Sequence, residues 1–145
     1  MDMAVIKHPV VEVGAVVLHY GSVLLVKRDD PATAGRWAIP CSRLQWGESM
    51  PQTLAREVLV ATGIVIQPGA VIHAYDLMLP EVEGREAEHR VIIEMEADYL
   101  DGELRRGDSV MDVAWVSAMA MMTMEIDAHT LGLLTELGFV GGEAD

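Results

Sequence analysis

Residues 37–64 read WAIPCSRLQWGESMPQTLAREVLVATGI, and the second half of this stretch carries the marks of a helix from Ser49 to Gly63. Ser49 can accept a hydrogen bond at the helix N-terminus, and Gln52, at the third helical position, can reach back to complete a capping box. Pro51 falls in the first turn, where a missing N–H costs nothing. Gly63 follows the last turn, where a left-handed residue is usual. Leu54, Val58 and Thr62 share one face, with Ala55 and Leu59 beside them, whereas Thr53, Arg56 and Glu57 share the other. The helix is therefore expected to pack on one side and to present an Arg–Glu pair on the other. Before it, Trp37 to Ile39 reads as a short strand stopped by Pro40.

Working outward, Val10 to His19 is β-branched and apolar and reads as a buried strand. Tyr20-Gly21-Ser22 is a turn, and Val23 to Lys27 completes a hairpin. Asp29 to Gly35 is loop. Beyond the helix, Ile64 to Ile66 is a short strand, Pro68-Gly69 a turn and Ala70 to Leu79 a longer strand. Pro80 to Glu88 is an acidic loop. Arg90 to Tyr99 alternates: Val91, Ile93, Met95 and Ala97 face one way, and Ile92, Glu94, Glu96 and Asp98 the other, as a solvated strand edge. Leu100 to Asp108 is a polar connection. Asp112 to Val116 is a last strand. Ser117 starts a short helix, and Asp127 caps a final one running to about Leu137. This order predicts an α/β (α+β) domain, a mixed sheet with helices on its faces.

Composition narrows the possible functions. The chain has 145 residues, enough for one domain with a core of its own, and 51% of them are hydrophobic, which argues against global disorder. The formal net charge is −13. Such a surface repels phosphate backbones and anionic membranes, so no nucleic-acid or membrane partner is expected. Cys41 is the single cysteine, which excludes an internal disulfide and a multi-cysteine metal site. No run approaches the roughly 18 to 20 apolar residues of a membrane span. Met1 to Ala4 lacks a basic leader segment. A cytoplasmic protein is expected.

The 37–64 stretch resembles the Nudix box, G-x5-E-x7-R-E-U-x-E-E-x-G-U, where U is a bulky apolar residue. In register, Glu48, Arg56, Glu57, Val58, Gly63 and Ile64 match, whereas Ser42, Val60 and Ala61 depart from the pattern. Lys27-Arg28-Asp29 before the box and Trp115-Val116-Ser117 after it also look like this family. The resemblance implies one Nudix domain over residues 1–145, with a mixed sheet sandwiched between helices. It implies hydrolysis of a nucleoside diphosphate linked to another moiety, with the ADP-ribose pyrophosphatase-like branch the nearest in appearance. It also implies Mg²⁺ or Mn²⁺, hard cations that take oxygen ligands, a small nucleotide ligand, and a homodimer.

The departures carry chemical weight. Glu at 57, 60 and 61 would put three carboxylates on one helix face, ready to share metal. Here Glu57 is followed by Val60 and Ala61, which offer no ligand atom. The resemblance assigns Glu57, Arg56 and Glu48 to catalysis, and Arg28, Trp37 and Arg43 to substrate. Glu57 is the metal ligand left on the helix, with Glu94, Glu96 or Glu103 as replacements from elsewhere. Each has a plainer reading: Glu48 favours the helix N-terminus, Arg56 is a partner for Glu48 or Glu57, and the tryptophans are core or rim. The five histidines show no ligand spacing, and the clustered methionines from Met119 to Met124 read as packing. Three readings follow: a hydrolase weakened by lost carboxylates, a nucleotide-binding module that no longer hydrolyses, and an assembly role through the Met-rich end.

Overall fold

The computed structural model of the chain describes residues 7–140. Strand β1 (Val10–His19) and β2 (Ser22–Lys27) form the expected hairpin. Its two turn residues, Tyr20 and Gly21, both have positive φ, 48° and 76°, the twist that a two-residue hairpin turn requires. Next come β3 (Trp37–Ala38) and a short β4 (Cys41–Arg43), the latter not anticipated from the sequence. Helix α1 (Met50–Thr62) follows with its capping box intact: the Ser49 side chain accepts from the Gln52 N–H at 3.2 Å, and the Gln52 side chain accepts from the Ser49 N–H at 2.8 Å. Gly63 closes it in the left-handed conformation.

Strands β5 (Ile64–Leu79), β6 (Glu88–Gly102) and β7 (Asp112–Ser117) complete the sheet, followed by α2 (Ala118–Met121) and α3 (Ala128–Glu136). The main strand order is β3-β2-β1-β6-β5, with β4 paired to β1 and β7 to β2. Pairing is antiparallel except between β1 and β6, which run parallel from Val10↔Arg90 to Leu18↔Asp98. The sheet is therefore mixed, as expected.

β5 corrects the sequence reading. It does not break at Pro68-Gly69; it continues from Ile64 to Leu79 and absorbs Pro68 and Gly69 in register shifts against β6. Pro68 cannot donate to a ladder, but β5 is the edge of the main strand path, where that loss is tolerated.

Two apolar layers flank the sheet. Leu54 and Val58 of α1 pack on Val13, Ala15, Leu24, Met95 and Ala97. On the opposite face, Leu133 and Leu134 of α3 and Met121 of α2 pack on Val16, Val23, Leu25 and Val116. Two further expectations change. Thr53 is fully buried, because its hydroxyl reaches back beneath the helix start. Glu94 is 2% exposed, because α3 covers its end of β6; Glu96 and Asp98, farther along, are exposed as expected.

After β6 the chain crosses the C-terminal end of α1. The Arg105 N–H donates to the Thr62 carbonyl at 2.8 Å and the Gly107 N–H to the Ala61 carbonyl at 2.9 Å. These bonds satisfy carbonyls that a helix end otherwise leaves free. The approach is so close that a Cβ at Gly107 would stand 2.2 Å from the Val60 carbonyl oxygen.

Candidate active site and a buried carboxylate beside it

The charged face of α1 is tightly braced. Arg56 donates through Nε to Glu48 Oε2 at 2.9 Å and through Nη2 to Glu48 Oε1 at 2.8 Å. Its third nitrogen, Nη1, reaches Glu57 Oε2 at 2.5 Å. The Thr53 hydroxyl adds a bond to Glu48 Oε1 at 2.7 Å, which accounts for a buried threonine here. The Arg56 guanidinium, then the Thr53 hydroxyl, hold the Glu48 carboxyl down at about 2. Bonds from Glu48 and then Glu57 push Arg56 above its ordinary value. Three sequence-assigned residues, Glu48, Arg56 and Glu57, thus meet as one ion-paired frame.

Glu57 and Ala61 line a small cavity of about 60 Å³ with Arg28, Cys41 and Ser42. Val60, 55% exposed, does not line it. Arg28 and Cys41 also border a second cavity of about 50 Å³ on the α3 side of the sheet, which contains Glu12, Glu94 and His129. An open groove of about 610 Å³ shares Arg28 with both, and in it Arg28, Arg43, Arg90 and Arg106 stand among the carboxylates Glu12, Asp29, Asp30 and Asp108. Arg28 is anchored, donating to the Cys41 carbonyl at 2.6 Å and to Asp30 at 3.2 Å. Arg43 is exposed and makes no ion pair among the described residues. Trp37 lines none of these cavities. It packs against the α3-side core and exchanges backbone bonds with Glu125 and Asp127.

Arg90 is 6% exposed and held by Asp30, Glu88 and Glu12 at 3.1 to 3.5 Å. Burial alone would lower its pKa, but bonds to Asp30 and Glu88 outweigh that and raise it. Burial likewise pushes Asp30 up, and the Ala32 N–H and Arg90 more than reverse the effect. The Cys41 thiol is raised well above its ordinary value by burial and then by the Glu12 carboxylate, which its Sγ faces at 3.4 Å.

The NUDIX domain family model matches residues 8–134. The chain belongs to the Nudix family. An ADP-ribose pyrophosphatase of Methanocaldococcus jannaschii is 27% identical over 105 residues, which is 72% of this chain. The chain spans 60% of the length of that curated relative. Among solved structures, a MutT NUDIX hydrolase from Burkholderia pseudomallei superposes with a TM-score of 0.74 at 24% identity, covering 90% of this chain and 99% of that one. A NUDIX hydrolase from Nitrosomonas europaea gives 0.72 at 22% identity, covering 90% and 72%. At these identities the likeness establishes the fold.

Nudix hydrolases use divalent metal ions, so α1 can be tested as a metal site on its own atoms. It offers one cleft-facing carboxylate, Glu57, and one oxygen of that group already faces Arg56. Ala61, the next cleft-lining position, has no donor. A hard cation seeking six oxygen ligands does not find them on this helix. Glu96 and Glu103, the proposed substitutes, are exposed and line none of the three spaces described. Glu94 lies on the α3 side, and its partners are His73 and His129.

Those histidines, with Tyr75, are the residues that sequence reasoning missed. His73 lies opposite Glu94 in the β5–β6 ladder. His129 arrives from the first turn of α3, whose start is fixed by the Asp127 cap and by Thr130 Oγ1 accepting from the Ile39 N–H at 3.3 Å. The alternation along 91–98 did place Glu94 on a definite face, but only the docking of α3 made that face interior. No helix among the described residues is long and apolar enough to cross a membrane.

Proposed function

We propose that this Nudix protein binds a nucleoside diphosphate derivative of the ADP-ribose type and hydrolyses its pyrophosphate slowly. The reading rests on one observation: the Glu48–Arg56–Glu57 frame is intact while the neighbouring positions 60 and 61 carry no oxygen. The groove shares Arg28, Ser109 and Val110 with the Glu57 cavity, and its exposed Arg43, which has no acidic partner among the described residues, supports a diphosphate as the bound group. Arg43 and Arg106 would meet its oxygens, since guanidinium groups pair well with phosphate. Arg28, already bonded to the Cys41 carbonyl and Asp30, would hold the groove floor. Glu57, which lines the cavity, would accept a proton from a water attacking phosphorus. Without a shared metal cluster the developing charge is poorly stabilised, and a missing electrostatic contribution of several kcal/mol means orders of magnitude in rate. Mg²⁺ or Mn²⁺ binding on α1 is accordingly weak in this reading.

A second reading, a nucleotide-binding module without hydrolysis, is favoured by the pairing of Glu57 with Arg56, which occupies one oxygen of the carboxylate. The long edge strand β5, with Val71 and Met78 exposed, supports a homodimer, because such edges are usually covered. The lone cysteine suits the cytoplasm.

A thermal-shift and turnover series with ADP-ribose, each with and without Mn²⁺, tests this reading. The expected result is stabilisation by ADP-ribose with kcat/KM below about 10⁴ M⁻¹s⁻¹, the lower end of ordinary enzymes. Turnover above that value overturns the weakened site. Stabilisation indifferent to Mn²⁺, with no product, selects the module. The absence of a shift with ADP-ribose or any nucleotide sugar overturns both.

A further inference from the structure

We propose that His73, Glu94 and His129 form a binding site for one divalent transition-metal ion of the Zn²⁺ class. The site is separate from α1 and stands whether or not the chain hydrolyses a pyrophosphate.

The three side chains present one ligand atom each, and these atoms lie within 4.8 Å of one another. His73 Nδ1 is 3.1 Å from Glu94 Oε1, and His129 Nε2 is 3.1 and 3.0 Å from the two carboxylate oxygens. Two ligands bound to one zinc ion at about 2.0 to 2.2 Å stand roughly 3.3 Å apart in a tetrahedral site. The imidazole–carboxylate spacings are thus already close to those of a shared ion. They come from three elements, β5, β6 and α3, so the arrangement is fixed by tertiary packing rather than by one flexible loop.

Charge points the same way. Glu94 is 2% exposed, and among the described residues no lysine or arginine pairs with it. Glu12, buried on the same side, has Arg90. A buried carboxylate without a counter-charge is costly. The cavity at its side is lined by four carboxylates (Glu12, Asp30, Glu94, Asp127) against two guanidiniums (Arg28, Arg90), and both guanidiniums are already paired with Asp30. Tyr75 stacks on His129 with ring centroids 3.9 Å apart, which holds the imidazole plane in place.

Ligand chemistry selects the ion. Two imidazoles and one carboxylate suit zinc and its neighbours, whereas magnesium and calcium prefer all-oxygen shells. Three protein ligands leave coordination positions open, as in catalytic rather than structural zinc sites. The cavity of about 50 Å³ has room for the waters that would fill them.

Metal-stripped protein titrated with Zn²⁺ by calorimetry tests the site. One ion per chain with micromolar or tighter affinity is expected, and Co²⁺ in its place should give visible d–d absorption that Zn²⁺ abolishes. Glu94→Gln and His129→Ala should each weaken Zn²⁺ binding about tenfold or more. Because Glu94 is buried, circular dichroism accompanies that variant; the His129 ring is one-third exposed, so its loss leaves the fold in place. Glu57→Gln should leave Zn²⁺ affinity unchanged. Failure to bind Zn²⁺ at micromolar concentration means that the three side chains are a hydrogen-bonded network, and overturns the proposal. Binding that survives both His129→Ala and Glu94→Gln, or that is lost in Glu57→Gln, places the ion elsewhere and overturns it equally.

Discussion

At the scale of single residues, the α1 face is governed by which side chains carry oxygen. Replacing Val60 and Ala61 together by Glu restores the carboxylate pattern on a face that is half exposed at 60 and cavity-lining at 61. Isothermal calorimetry should show Mn²⁺ binding tightened by at least about tenfold, since each added carboxylate is a hard-ion ligand. No gain would mean that residue 61 does not face the cleft with Glu57. Arg43→Ala removes an exposed guanidinium from the groove, and the affinity for ADP-ribose should fall by roughly 10-fold, the usual scale for a charged hydrogen bond of about 1.5 kcal/mol. Glu48 makes a pH prediction. Its carboxyl is held at about 2 in the folded chain against an ordinary value of 4.5. A lowered folded-state value gives stability that is present above the unfolded value and disappears as pH falls through the folded one. Urea midpoints of the wild type and Glu48→Gln should therefore differ most above about pH 5 and converge towards about pH 2. The side chain is solvent-accessible, so added salt should shrink the difference.

At the scale of elements, α1 depends on its two ends. Ser49→Ala removes half of the capping box and should cost about 1 kcal/mol, read as a lowered urea midpoint with unchanged m-value. The other end is held by the 103–111 segment. A Cβ at Gly107 has no room, and Gly107→Ala must move backbone against backbone. A loss of about 2 kcal/mol is expected in chemical denaturation, within the range for backbone-strain substitutions. The helix itself was fully legible: Ser49, Gln52, Pro51 and Gly63 each announced a local rule, and the structure obeys all of them. The hairpin was legible for the same reason. The β5 break was misread because Pro68-Gly69 is a turn signal taken alone, and only the edge position lets a strand run through it. The short β4 was missed because its pairing with β1 is a tertiary fact. Site residues divide likewise: Glu48, Arg56 and Glu57 lie on the first two turns of α1 or its approach and could be grouped by spacing. His73, Glu94 and His129 are far apart in sequence, and no local periodicity joins them.

At the scale of the whole molecule, a net charge of −13 means that the folded state works against its own repulsion. Raising NaCl from about 0.02 to about 0.3 M screens that repulsion across the surface, and the thermal midpoint should rise, opposite in sign to the effect on the exposed Glu48–Arg56 pair alone. A falling midpoint would show that local ion pairs outweigh the global field. The two sheet faces also divide the chemistry. The α1 side carries the ion-paired Glu48–Arg56–Glu57 frame. The α3 side carries a buried acid, Glu94, whose partners among the described residues are two histidines and no lysine or arginine. Arg28 and Cys41 border both.

The tight passage of the chain over the end of α1 bears on where further oxygen ligands beside Glu57 could come from. The position closest to residues 60 and 61 across that junction is Gly107, and it has to remain without a side chain. A substitute donor therefore cannot be recruited from the nearest neighbour. It has to come from the flank, where Asp108, the next residue along, already borders the arginine groove.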